Sequence, residues 1–216
     1  MWGAWSDPVS CFITFEGGEG VGKSSQLPLL ARRLEAQGHR VVTTREPGGT
    51  EGAERIRDLA VAGTADRWSA RTELLLMTAA RTDHVERVIM PALQAGAWVL
   101  CDRFLDSTRV YQGVAGGLGI ELVDRLHDLL LPKPRPDLTL LLDLPVPAAA
   151  ARRAAAGGSG RFEAKGTAFH EKVRAGFQAI ARAEPARVAV IDASLPPDEV
   201  AERIWQEIGT RLGERT

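Results

Sequence analysis

Gly17-Gly18-Glu19-Gly20-Val21-Gly22-Lys23-Ser24 is separated by Glu16 alone from the apolar run Cys11-Phe12-Ile13-Thr14-Phe15, and Leu27, Leu30 and Leu34 recur behind it at helical spacing. A strand before the glycine-rich turn and a helix behind it are the two contexts that the pattern G-x-x-x-x-G-K-[ST] needs in order to bind phosphate. Glycines let successive backbone N–H groups curl around phosphate oxygens, and the start of the helix adds positive potential. Lys23 is then positioned for the terminal phosphates and Ser24 offers a hydroxyl to Mg²⁺. The chain has only four lysines, Lys23, Lys133, Lys165 and Lys172, and one of them falls where the pattern demands it. Pro28 removes an N–H early in the same helix and is expected to disturb it.

Outward from this turn the chain alternates. Strands are expected over 39–44, 98–101, 138–144 and 188–192, with helices over 53–61, 72–93, 121–131, 148–156, 167–183 and 197–212. The runs 98–101 and 138–144 are continuously apolar, as strands buried on both faces must be. The expected class is α/β, a five-stranded parallel sheet flanked by helices on both faces, with ligands at the carboxyl ends of the strands. Residues 1–10 read as a loose N-terminal extension bearing Trp2 and Trp5, and 11–216 as a single domain.

Composition narrows the function. The 216 residues are 44% hydrophobic and 25% charged, ordinary for a domain with a sizeable core, so disorder and coiled coil are excluded as the main architecture. A net charge of −1 gives no global field for a polyanion, which disfavours nucleic acid as partner. No run is long enough to span a bilayer and no export signal precedes the first strand, so a cytoplasmic protein is expected, with Cys11 and Cys101 as reduced thiols. The four histidines are isolated in sequence, and Mg²⁺ is the one metal expected. The chain contains no asparagine, and so cannot carry the Asn-Lys-x-Asp element with which guanine-specific switches read their base. The third strand ends Cys101-Asp102-Arg103. Asp102 there is placed to hold Mg²⁺ or its water and Arg103 to grip a phosphate, although the same pair could be a structural ion pair at a strand end.

Combined with the phosphate loop, several segments resemble bacterial thymidylate kinases, over about 12–212. They are Thr44-Arg45-Glu46-Pro47-Gly48-Gly49-Thr50, Ala79-Ala80-Arg81, Cys101-Asp102-Arg103-Phe104, Tyr111-Gln112-Gly113, Pro136-Asp137-Leu138-Thr139-Leu140 and Arg161-Phe162-Glu163. The resemblance implies the P-loop NTPase fold, a short lid over about 152–166, a likeness to homodimers, and transfer of the γ-phosphoryl of ATP to dTMP. It assigns Gly17, Gly18, Glu19, Gly20, Val21, Gly22, Lys23, Ser24 and Ser25 to ATP, and Ser24 and Asp102 to Mg²⁺. Glu19 resembles the acid that meets the sugar 3′-hydroxyl of dTMP. Glu46 and Pro47 resemble the turn at the monophosphate pocket, Arg57 and Arg103 the arginines on the acceptor phosphate, and Arg81 and Gln112 the pair on the thymine edge, with Thr108 near the base. Lys23, Asp102 and Arg103 are implied in catalysis.

Two departures matter. Met77 stands where the family usually stacks a phenylalanine on thymine, and methionine offers less area and less rigidity. The lid, Arg153-Ala154-Ala155-Ala156-Gly157-Gly158-Ser159-Gly160, is poor in cations where relatives without an arginine in the phosphate loop carry several. Arg153 and Arg161 are the expected sources of charge for the transferring phosphoryl. A kinase of the same fold with another acceptor, such as dUMP, and a nucleotide-binding regulator without turnover are the competing readings.

Overall fold

The first strand, β1 (Cys11–Glu16), is buried at every position because it lies in the middle of the sheet. In the computed structural model, which describes residues 10–64, 66–131, 133–155, 157, 161–162 and 165–213, β1 pairs in parallel with β3 (Trp98–Asp102) and β4 (Leu138–Asp143). β2 (Val41–Arg45) and β5 (Val188–Asp192) form the edges, also parallel, giving the order β2-β3-β1-β4-β5. Strand alternation sorts side chains between two cores. Cys11, Ile13 and Phe15 join α1 (Lys23–Ala36) and α9 (Pro197–Leu212), whose Leu27, Leu30, Leu34, Val200, Ile204 and Ile208 cover that face. Phe12, Val99 and Cys101 pack on the other face with Leu74, Val85 and Ile89. The five parallel strands covered on both faces are the architecture the alternation of elements implied.

Helix boundaries agree closely with expectation for α8 (Thr167–Ala183) and α9, and within a few residues for α2 (Glu51–Val61), α6 (Ile120–Leu130) and α7 (Val146–Ala155). The helix expected over 72–93 begins earlier as α3 (Ala70–His84), passes through a π-helical turn at Val85–Ile89 and ends as α4 (Met90–Gln94). α1 runs unbroken past Pro28. One element was not read at all: α5 (Leu105–Thr108) continues into a π-helical stretch, Arg109–Ala115, directly after β3. Leu105, Asp106, Ser107, Thr108, Val110, Tyr111, Gln112 and Gly113 are all buried there, so no apolar stripe betrays the helix. Residues 1–9 of the expected extension, and 156, 158–160 and 163–164 of the expected lid, lie outside the described residues.

Gly17 shows how tightly the phosphate loop is set on the sheet. It has φ +130°, and a Cβ there would stand 2.4 Å from the Leu142 carbonyl oxygen of β4. Only glycine satisfies both constraints.

Candidate active site

The loop after β1 and the turn after β3 meet at the carboxyl ends of their paired strands, where Phe15 stands opposite Asp102. Lys23, buried at the start of α1, donates from Nζ to the carbonyls of Gly17 (3.1 Å) and Gly18 (2.8 Å). Burial and the neighbouring Arg103 cation lower its pKa, while Asp102 and Glu19 act in the opposite sense. Arg103 is the one non-glycine residue with positive φ, +69°, among the described residues, and its N–H is held by the Phe15 carbonyl at 2.9 Å. Backbone strain of this kind persists where surroundings over-determine it. The Arg103 guanidinium donates from Nη1 to Gly17 O (3.0 Å) and Ser107 Oγ (3.1 Å), and from Nη2 to Glu19 Oε2 (2.5 Å). Tyr111 OH donates to Glu19 Oε1 at 2.8 Å. Burial would raise the Glu19 carboxyl, but the Arg103 and Lys23 cations and the Tyr111 hydroxyl overcome it and bring the pKa down to about 2.

Behind this group lies Glu16, fully buried at the end of β1. Its Oε1 accepts from Phe104 N (2.8 Å), and its Oε2 from Ser107 Oγ (2.6 Å). Burial and the charge of Asp106 push its pKa up to about 7, against these hydrogen bonds and Arg103. Glu16 thus anchors the turn that carries Arg103 and Ser107.

Glu19, Glu46, Pro47, Arg57, Met77, Arg81, Arg103, Thr108 and Gln112 converge on one cleft of about 350 Å³. The structure brings together all nine residues that the resemblance assigned to the acceptor. Arg57 Nη1 donates to Pro47 O at 2.8 Å, tying α2 to the turn after β2. Arg81 is fixed by three acceptors: Glu46 Oε2 (2.7 Å from Nε), Phe104 O (3.1 Å from Nη2) and Thr108 Oγ1 (2.8 Å from Nη2). Glu46 Oε1 is bonded to His84 Nδ1 at 3.0 Å, and His84 Nε2 to Thr44 Oγ1 at 2.6 Å. Gln112 Nε2 donates to Glu73 Oε2 at 3.0 Å. Phe104, Ser107, Tyr111 and Phe162 also line the cleft. The sequence assigns them no role, although Phe104, Tyr111 and Phe162 stand inside the segments that resemble the family.

A second cleft, of about 430 Å³, opens on the far side of the phosphate loop. Gly20, Val21, Gly22, Ser24 and Ser25 line it, together with Arg152, Arg153, Ala193 and Leu195, and Glu19 belongs to both clefts. Gly17, Gly18 and Lys23 line neither cleft, and the lysine is turned back on the two glycine carbonyls. Arg153 Nη1 donates to Glu19 O at 3.1 Å, and Arg152 Nη1 to Ala193 O at 2.9 Å. Arg153 therefore stands beside the loop. Arg161, expected with it at the transferring phosphoryl, lines the first cleft together with Glu19 and Arg103. It is buried, its Nε donating to Ala60 O (3.0 Å) and its Nη1 to Glu73 Oε1 (2.6 Å). An ion pair on α3 and a carbonyl on α2 draw it there.

Mg²⁺ would meet hard oxygen donors at this site. Asp102 Oδ1 is buried without a hydrogen-bond partner among the described residues, an acceptor left over at the end of β3, and the Ser24 hydroxyl belongs to the first turn of α1. Among the described residues no group of three or more His, Cys, Asp or Glu side chains is arranged to hold a metal by itself. That donor set suits an ion that the nucleotide phosphates help to bind.

A family model described as thymidylate kinase matches residues 15–204. A thymidylate kinase of Caulobacter vibrioides is 56% identical over 202 residues, 94% of this chain and 97% of the relative. Another, from Rhizorhabdus wittichii, is 54% identical over 93% of this chain and 98% of its own length. The crystal structure of a thymidylate kinase from Ehrlichia chaffeensis superposes with a TM-score of 0.76 at 35% identity, covering 93% of this chain and all of that one. With the fold, both clefts and these likenesses in agreement, the chain belongs to the thymidylate kinase family.

Proposed function

We propose a division of labour among the residues of the two clefts. The chain transfers the γ-phosphoryl of ATP to dTMP, giving ADP and dTDP. ATP lies along Gly17 to Ser25, with its phosphates in the loop and its base toward Ala193, and dTMP fills the cleft lined by Arg81, Gln112 and Met77. The observation that carries this arrangement is the Arg103–Glu19 bond of 2.5 Å, which joins the two clefts at the point where the phosphates must meet. Arg103 and Arg57 bind the acceptor phosphate, and Glu19 receives the sugar hydroxyl, its low pKa keeping it an acceptor throughout the physiological range.

The attacking oxygen already belongs to a phosphate, so catalysis rests on positioning and charge neutralisation rather than on a strong base. Lys23 and Arg153 supply positive charge on the ATP side and Arg103 on the acceptor side. Ser24 and Asp102 would hold Mg²⁺, which when bound neutralises charge on the terminal phosphates of ATP. Arg161 orders the acceptor cleft through its ion pair with Glu73 of α3. The enzyme works in the cytoplasm, in keeping with Cys11 and Cys101 as buried thiols, and no helix among the described residues is long and apolar enough to cross a membrane. Two copies associate through α2, α3 and α6, neighbouring helices that expose Leu59, Leu75 and Leu122 to solvent.

The test is ADP production from Mg-ATP with dTMP, dUMP, dCMP, dGMP or thymidine offered singly. Strong preference for dTMP is expected. A broad or shifted preference would mean that Met77 has remodelled the base site, and tight ATP binding without turnover would support a regulator.

A further inference from the structure

Glu73, Met77 and Arg81 recur at intervals of four residues and so form one stripe of α3. Met77 and Arg81 line the acceptor cleft and Glu73 does not, yet Glu73 is buried and both its oxygens are engaged from the cleft side. Oε1 accepts from Arg161 Nη1 at 2.6 Å and Oε2 from Gln112 Nε2 at 3.0 Å. A carboxylate paired with arginine only accepts, so the end of the Gln112 amide against Glu73 must be the NH₂. The Gln112 carbonyl Oε1 then takes no hydrogen bond from the described residues, and Gln112 lines the cleft. Arg81 commits Nε and Nη2 to Glu46, Phe104 and Thr108, leaving Nη1 without a protein partner among the described residues.

We infer that Glu73 is a positioning residue for base choice: by holding the NH₂ of Gln112 it presents Oε1 as an acceptor beside the Arg81 donor, and so selects the imide edge of a pyrimidine. This rests on the reading of the acceptor cleft given above. A ring N–H next to a carbonyl satisfies both groups. The cytosine edge sets a ring lone pair against Oε1 and an amino group against the guanidinium, leaving four groups unpaired. Gln112 cannot turn round to accommodate cytosine, because its carbonyl would then face the Glu73 carboxylate. Arg161 locks the arrangement by taking the other carboxylate oxygen.

Replacing Glu73 by glutamine gives a directional test. Arg161 demands the carbonyl end of the substituted amide, which leaves the new NH₂ facing Gln112 and turns the Gln112 amide round. The two acceptors to compare are dTMP and 5-methyl-dCMP, which share the 5-methyl group and differ only at the hydrogen-bonding edge. The wild-type chain should prefer dTMP by at least ~100-fold in kcat/KM, and E73Q should show a ratio below ~10-fold with an absolute gain for 5-methyl-dCMP. Loss of packing alone would lower both substrates together. A selective wild type with an unchanged ratio in E73Q, or a parallel fall, overturns the role of Glu73 and leaves the cleft reading standing. A wild type that accepts both within ~10-fold overturns the cleft reading itself. A second measurement needs no variant at Glu73. In the unliganded wild-type protein the Gln112 side-chain NH₂, identified by its loss in Gln112→Leu, should exchange slowly with solvent, and rapid exchange overturns the proposal.

Discussion

Arg103 concentrates several demands in one residue: a left-handed backbone, a bond across to the phosphate loop and an ion pair with Glu19. Replacing it by alanine should lower kcat by at least ~100-fold, measured under saturating Mg-ATP and dTMP. Near-normal turnover would remove it from the machinery. Glu16 makes a different prediction, about stability. Its folded pKa of about 7 lies above the ordinary 4.5, so between those values the folded state holds a proton that the unfolded chain has lost. Stability from this group is therefore present below pH 4.5 and falls as pH rises to 7, by up to about 3 kcal/mol. Urea midpoints across that window should slope less in Glu16→Gln than in wild type, and equal slopes would exonerate Glu16. His127, whose buried ring is lowered to about 3, acts in the opposite sense and loses stability as pH falls below its ordinary 6.5. At this scale the sequence was legible where motifs are contiguous, as for Lys23, Arg81 and Arg103. Glu73 and the Tyr111–Glu19 bond were not, because their partners are 39 and 92 residues away and no local pattern links them.

Helices and turns obey rules that can be tested singly. Gly49 ends the turn after β2 at φ +88°, and a Cβ there would lie 2.5 Å from the His84 ring and 2.7 Å from Thr44 Oγ1. Gly49→Ala should therefore cost at least about 2 kcal/mol, from the left-handed backbone and the collision together. It should also raise KM for dTMP more than KM for ATP, because Thr44, His84 and Glu46 form one chain that ends on Arg81. Equal effects on both KM values would disprove that coupling. Amphipathic helices such as α8 and α9 declared themselves through period, since each buries one stripe. The stretch from Leu105 to Ala115 did not, being buried on nearly every side and wound partly as π-helix. The burial of Arg161 was hidden for a related reason. Its segment reads as an exposed lid, whereas a buried acid one helix away decides where its charge goes.

As a whole, the molecule holds two clefts on the same end of one sheet, sharing Glu19. Each ligand alone should stabilise the fold by mass action, about 2.7 kcal/mol at a hundredfold excess over Kd. For a chain of this length that raises Tm by about 5–10 °C, readable by scanning calorimetry, and a ligand that shifts nothing does not occupy its cleft. Leu75, 61% exposed on α3, should matter to assembly but not to the core. Leu75→Glu is expected to give a monomer in sedimentation velocity with unchanged helicity, whereas an unaltered sedimentation coefficient would move the contact elsewhere. The sheet order carries a further consequence, for how the chain is made. Within the sheet β1 is made before every other strand, yet its neighbours are β3 and β4, so one edge stays bare until 98–102 and the other until 138–143 has been synthesised. A nascent chain halted before 98–102 has been made exposes Cys11-Phe12-Ile13-Thr14-Phe15 as an open template for other chains, and chaperone demand should peak there.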